Sequence, residues 1–151
     1  MKQKLLPWIL VILWMALIFF LSHQPAIESS ELSSGITKRV YDIIKMIAPD
    51  ISLDLGSFNH IIRKLAHFTV YLILGILVAN GLIYTRTSRI NTILLALLIC
   101  ILYAISDEIH QIFIPGRSGQ VSDVLIDSSG GLAGIFLLNI FRRQGVYQTK
   151  V

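Results

Sequence analysis

The sequence predicts an all-α membrane protein: a bundle of four transmembrane helices with an outer amphipathic helix. Three observations carry this reading. Hydrophobic residues make up 54% of the chain and charged residues only 15%, and the mean hydropathy is +0.72, far from an average soluble composition. The apolar residues gather into runs close to the length of about 20 helical residues that crosses a hydrocarbon core of roughly 30 Å. The ionisable residues sit between those runs or at one end of them. With 151 residues there is room for one domain, so 1–151 is read as a single unit.

The first span runs from about Leu5 to Leu21, behind Met1-Lys2-Gln3-Lys4. It exceeds the hydrophobic region of a secretory signal, and Ser22-His23-Gln24-Pro25-Ala26 offers no small-x-small cleavage site, so it is read as a retained span. Residues 22–62 form a long outer connection. Within it Ile36, Val40, Ile43, Ile44 and Ile47 recur at helical spacing, with Lys38, Arg39, Asp42 and Lys45 opposite. That pattern predicts an amphipathic helix along the outer membrane surface, capped by Ser34 and ended before Pro49.

The second span, about 65–84, is predicted to begin as helix near Phe58 with Ser57 as cap. His60, Lys64, His67 and Tyr71 then share one face that continues to Gly75 and points into the bundle, while Arg63 lies aside and snorkels outward. The third span, about 90–105, continues as helix through Phe113. Asp107 there faces the side of His110 and Gln111, with Glu108 turned by about 100° from it. Ile114-Pro115-Gly116-Arg117 ends the helix in a tight turn. The fourth span, about 121–141, opens with Ser122 as cap. Asp123 lies in its first turn, Asp127 one turn deeper, and Gly130, Gly131 and Gly134 continue that face to admit a neighbouring helix.

Lys2, Lys4, Arg86, Arg89, Arg142, Arg143 and Lys150 fall at one end of the spans with no acid among them. That end is assigned to the cytoplasm, with both termini there. All nine acids and four histidines fall at the other, extracytoplasmic end. Trp8 and Tyr84 suit the inner interface. Cys100, the single cysteine, sits mid-span as packing, with no disulfide available to it. Nucleic acid is excluded as a partner despite the net charge of +4, and membrane lipid is expected.

The outer ends of the last three spans therefore collect Lys64, His67, Asp107, Glu108, Gln111, Arg117, Asp123 and Asp127. Ionisable groups at membrane depth cost several kcal/mol unless paired, and mark a substrate path, a relay or an ion pair. Read as a site, His67, Glu108 and Asp127 are the candidate catalytic groups, as base, acid or nucleophile. Lys64, Asp107, Gln111, Arg117 and Asp123 are the candidate substrate-binding groups, with the cations clamping an anion. Read as structure, the same groups pair across helices and fix their register. His67, Glu108, His110 and Asp127 supply metal donors, but no two show a recognised ligand spacing, so no metal and no cofactor are assigned. Proton-coupled transport through His67 and Asp127 lacks a path, since the inner halves of the spans carry no ionisable residue.

At these residues the chain resembles the VanZ-like family of bacterial membrane proteins. The matching segments are Arg63-Lys64-x-x-His67-Phe68-x-x-Tyr71-x-x-x-Gly75 and Ser106-Asp107-Glu108-x-x-Gln111-x-Phe113-x-Pro115-x-Arg117-x-Gly119-x-x-x-Asp123-x-x-x-Asp127-x-x-Gly130-Gly131. The exit of the first span, Leu21-Ser22-His23-Gln24-Pro25, matches too, except that His23 stands where the family often has serine. The resemblance implies a small multi-span protein of the bacterial cytoplasmic membrane, whose namesake lowers susceptibility to teicoplanin, a lipid-bearing glycopeptide. It implies no catalytic residue. The expected function is an outward-facing polar site that binds, and in one version modifies, an envelope lipid, a cell-wall precursor or such an antibiotic. The alternative is a non-enzymatic membrane scaffold whose charges are structural.

Overall fold

The structure is a computed structural model that describes residues 2–50, 54–85 and 87–148. Five helices appear in order: α1 Lys2–Ser22, α2 Ala26–Ile47, α3 Leu55–Tyr84, α4 Arg89–Gln111 and α5 Val121–Gln148. There is no strand among the described residues. Four helices are long and apolar enough to cross a membrane: Leu5–Ser22, Leu55–Tyr84, Arg89–Gln111 and Val121–Arg142. The protein is a multi-pass membrane protein by that measure. Of the basic residues assigned to the inner end, Arg86, Lys150 and the side chains of Lys2, Lys4 and Arg143 lie outside the described residues.

The spacing of small residues decides which helix is central. α3 packs against each of the other four helices, and its closest neighbour is α5. A Cβ added at Gly130 would land on the Phe68 carbonyl oxygen, one at Gly134 on that of Leu72, and one at Gly75 on that of Gly131. The two backbones therefore touch where glycine allows it, as the Gly130-x-x-x-Gly134 spacing predicts. In a membrane this approach matters, because dispersion contacts rather than water exclusion hold helices together.

α1 is fixed on the other side by its tryptophans and its backbone. Trp14 Nε1 donates to the Val70 carbonyl at 2.8 Å, Trp8 lies against Gly81, and Tyr103 of α4 donates to the Met15 carbonyl at 2.6 Å. Buried Val11, Ile18, Leu74, Val78, Cys100 and Ile135 form the core between these helices. Ile12, Phe20, Leu94, Leu102 and Leu125 are exposed on the outer faces, which suits a lipid surround.

The helix ends correct several boundaries. α3 is capped by Asp54, three residues before the expected Ser57: its carboxylate accepts from the Gly56 and Ser57 amides and the Ser57 hydroxyl. α2 begins after Pro25, not at Ser34, because its inward face is polar. Ser33 and Thr37 are buried, Thr37 donates to Asn59 Oδ1 at 3.0 Å, and Asn59 donates to Ser34 Oγ at 3.4 Å. Ile36, Ile43 and Ile47 are left exposed, while the helix ends at Ile47 before Pro49, as expected. α4 stops at Gln111, short of Phe113. Its turn is closed by the Arg117 amide on the Ile114 carbonyl at 3.1 Å. Gly116 at φ 76° supplies the left-handed residue that a type II turn needs after proline. Ser122 lies inside the first turn of α5 rather than capping it; the Gln120 carbonyl accepts from the Asp123 amide.

Candidate functional site

The contact between α3 and α5 sets the first half of the site. Because the helices meet at Phe68 and Gly130, the residues one turn toward the outer end face each other. Lys64 Nζ lies 3.6 Å from Asp123 Oδ1, and His67 Nδ1 lies 3.4 Å from Asp127 Oδ1. The Asp127 side chain is wholly buried and that of His67 is 23% exposed. At about 1.5 Å per residue His67 stands roughly 26 Å from Tyr84, near the edge of a hydrocarbon core of about 30 Å.

The end of α4 supplies the second half. Asp107, Glu108 and Gln111 are all buried. The Gln111 amide nitrogen donates to Asp107 Oδ2 and to Glu108 Oε1, each at 3.3 Å. Although the two acids point about 100° apart on the helix, Gln111 is four residues beyond one and three beyond the other, so it reaches both. The Asp127 carboxylate completes the group: one oxygen from each of Asp107, Glu108 and Asp127 lies within 4.8 Å of the others. The remaining oxygen of Glu108 accepts from the Gln120 backbone amide at 2.7 Å. Gly119 lets that loop lie on α4, since a Cβ there would meet the Glu108 carbonyl at 2.8 Å.

Arg117 ties the turn to two other segments. Its Nε donates to the Gln24 carbonyl at 3.0 Å and its Nη1 to Gln111 Oε1 at 3.3 Å. The Ala26 amide donates to the Pro115 carbonyl at 3.2 Å, so the α1–α2 corner sits on the same turn. All eight candidate residues are thereby brought together.

A cavity of about 340 Å³ opens beside them. Ile18, Leu21, Leu32, Ile36 and Val70 wall it from α1, α2 and α3, and Arg63, His67, Tyr71, Asp107 and Arg117 line it as well. Ser22 and Gln24 also line it. Neither was among the candidate site residues, although the exit segment that holds them is part of the matching pattern. Arg63 was expected to point aside; it is exposed yet borders the cavity. His110 is not among the grouped donors; it is paired with His23 at 3.1 Å and tilted against Phe19. Among the described residues, then, the grouped acidic donors are Asp107, Glu108 and Asp127, not the histidine-containing set considered from the sequence.

Such an arrangement offers anionic and cationic groups at one depth, an imidazole backed by a buried carboxylate, and an apolar space next to both. Comparison with curated proteins gave no match, and comparison with solved structures gave none. The family model described as VanZ/LLP1 matches residues 7–142, a stretch that includes every residue of the site. The chain belongs to the VanZ/LLP1 family.

Proposed function

We propose that this protein holds an amphiphile of the bacterial cell envelope, its chain in the cavity between α1, α2 and α3 and its head group at the polar cluster. The carrying observation is the cavity of about 340 Å³, lined by aliphatic side chains together with Arg63, Arg117, His67 and Asp107. A lock made only of ion pairs needs no such space, whereas a chain-plus-head ligand does. Two guanidinium groups favour a phosphate or carboxylate head. An anionic membrane lipid, a lipid-linked cell-wall precursor and a lipid-bearing glycopeptide such as teicoplanin share that chemistry. The bundle is read as lying in the cytoplasmic membrane with both termini inside and the site on the extracytoplasmic side.

Should the bound molecule also be modified, His67 is the group suited to act as base. Its Nδ1 faces Asp127, an arrangement that orients an imidazole toward a substrate. Glu108 would then serve as acid, held by Gln111 and the Gln120 amide.

The test has two parts. Alanine changes at His67, Glu108 and Asp127 are scored for teicoplanin susceptibility and membrane abundance in cells. Native mass spectrometry of the purified protein then measures retention of phosphatidylglycerol, a polyprenyl-pyrophosphate precursor or teicoplanin. Retention of one probe, weakened by Arg117→Gln, is expected. Full function of all three alanine variants at normal abundance, or retention of no probe, sinks the reading.

One observation favours a second reading, a scaffold in which the cluster fixes the fold. Arg117 and Gln120 tie the α1–α2 corner, α4 and the start of α5 together. That reading predicts that Asp127→Asn lowers abundance and thermal stability while ligand retention per folded molecule is unchanged.

A further inference from the structure

We infer that Asp107, Glu108 and Asp127 bind a hard divalent cation, Mg²⁺, Mn²⁺ or Ca²⁺, between the end of α4 and the first turns of α5. Their three oxygens lie within 4.8 Å of one another, and the residues are only 4%, 5% and 0% exposed. A cation about 2.3–2.6 Å from each oxygen, the usual calcium distance, bridges such a group, and the shorter magnesium distances need a small contraction. An all-carboxylate set selects these ions over zinc or copper.

The acids alone would not carry the inference; their neighbours do. In the wholly buried Asp127, Oδ1 has only the 3.4 Å contact with His67 Nδ1, short of a hydrogen bond, and Oδ2 has no partner among the described residues. Buried carboxylates ordinarily take donors on both oxygens, because an unmet buried charge is costly. The Tyr71 hydroxyl is also buried without a partner. Tyr71 lines the same cavity as Asp107. Ser22 Oγ, on the same cavity wall, is likewise unmatched. The unpartnered oxygens thus include two on the wall of the cavity that Asp107 lines, from α1 and α3, and those of Asp127 in the acid group itself.

Among the described residues no lysine or arginine, Arg63 included, forms an ion pair with the three acids. Lys64 is engaged with Asp123, and Arg117 spends two donors on Gln24 and Gln111. His67 meets Asp127 alone at 3.4 Å, and Gln111 shares one neutral amide between the other two acids. A divalent ion supplies the missing charge. His67 behind Asp127 is then the outer partner that orients a metal-binding carboxylate. Tyr71 and Ser22 are placed to hold ion-bound water.

The test uses the full chain in detergent, stripped with chelator and dialysed, and titrated with Mn²⁺ followed by electron paramagnetic resonance. One Mn²⁺ per chain is expected, displaced by Mg²⁺ or Ca²⁺, with affinity on the order of 0.1–1 mM or tighter. Asp107→Asn and Asp127→Asn should each weaken binding about 10-fold or more, and Asp50→Asn, in an exposed turn, should leave it unchanged. Where a neutral variant fails to fold, Glu108→Asp keeps the charge and should weaken binding without abolishing it. Infrared spectra of the unaltered protein read the carboxylates directly, and Mg²⁺ should shift their stretching bands. No saturable Mn²⁺ binding, unshifted bands, or variants that bind like the unaltered protein would overturn the site. The probe is the ion alone, so failure here is separate from failure to hold an amphiphile.

Discussion

Replacing Gly134 by alanine tests the helix contact on which the site is built. The added methyl group would sit on the Leu72 carbonyl oxygen and 3.2 Å from the Ile76 amide nitrogen. Both are backbone atoms of α3, so no side chain can swing aside. The two helices must separate, and a gap of about 1 Å forfeits roughly a quarter to a half of the dispersion attraction along the seam. Overpacking of this kind costs about 1–3 kcal/mol, and the backbone obstacle places Gly134→Ala near the upper end. Gly35 is the internal control. It lies exposed in α2 with nothing within 4 Å of an added Cβ, so Gly35→Ala should stabilise the helix by about 0.5–1 kcal/mol. Reversible unfolding in mixed micelles reads both. Opposite signs are expected, with Gly134→Ala also loosening the His67–Asp127 and Lys64–Asp123 contacts that the seam holds. A Gly134→Ala protein as stable as the unaltered one would mean that α3 and α5 are not held by backbone contact at this glycine.

Other substitutions probe single links. Tyr103→Phe removes the hydroxyl that donates to the Met15 carbonyl and should lower stability by about 1 kcal/mol in the same assay. Arg117→Lys keeps the charge but cannot reach both the Gln24 carbonyl and Gln111 Oε1 with a fork; amphiphile retention by native mass spectrometry should fall about 5-fold or more. Asp54 gives a pH signature. The Ser57 hydroxyl, then the Ser57 and Gly56 amides, hold its carboxyl below the ordinary range. Its stabilising contribution is therefore full above the ordinary value near about 3.9 and fades as pH falls through the lower folded value. Asp54→Ala should abolish that acid limb of the stability curve and leave the shape above it unchanged.

The spans were legible because each is a local property: an apolar run long enough to cross is a helix whatever its neighbours do. The α3–α5 seam was nearly as legible, since glycines four apart beside Asp123 and Asp127 name the face that meets another backbone. The Pro115-Gly116 turn needed only the two residues themselves. What escaped depended on contacts between distant residues. The start of α2 was misplaced because Ser29, Ser30, Ser33 and Ser34 carry no apolar periodicity, and the polar face they share with Thr37 is matched by Asn59 of α3, which bonds Thr37 and Ser34. Asp54 and Ser57 are both good caps, and the choice of Asp54 rests on which side chain reaches the free amides. At the site, the helical angle of about 100° between Asp107 and Glu108 did not by itself make them a pair. Gln111 links them within α4 through its spacing of four and three residues, but the arrival of Asp127 from α5 is not visible in one helix. Ser22 and Gln24 join through the fold of the α1–α2 corner onto Arg117, a contact spanning most of the chain.

The claim that an amphiphile occupies the cavity is tested most directly by filling it. Ile36 borders the cavity from α2 and is 56% exposed, so Ile36→Trp adds bulk without disturbing the core. Native mass spectrometry of the folded variant, with the probe the unaltered protein retains, is the measurement. Retention should fall about 10-fold or more, a loss of roughly 1.4 kcal/mol or more in binding. Retention equal to that of the unaltered protein would contradict occupancy of the cavity.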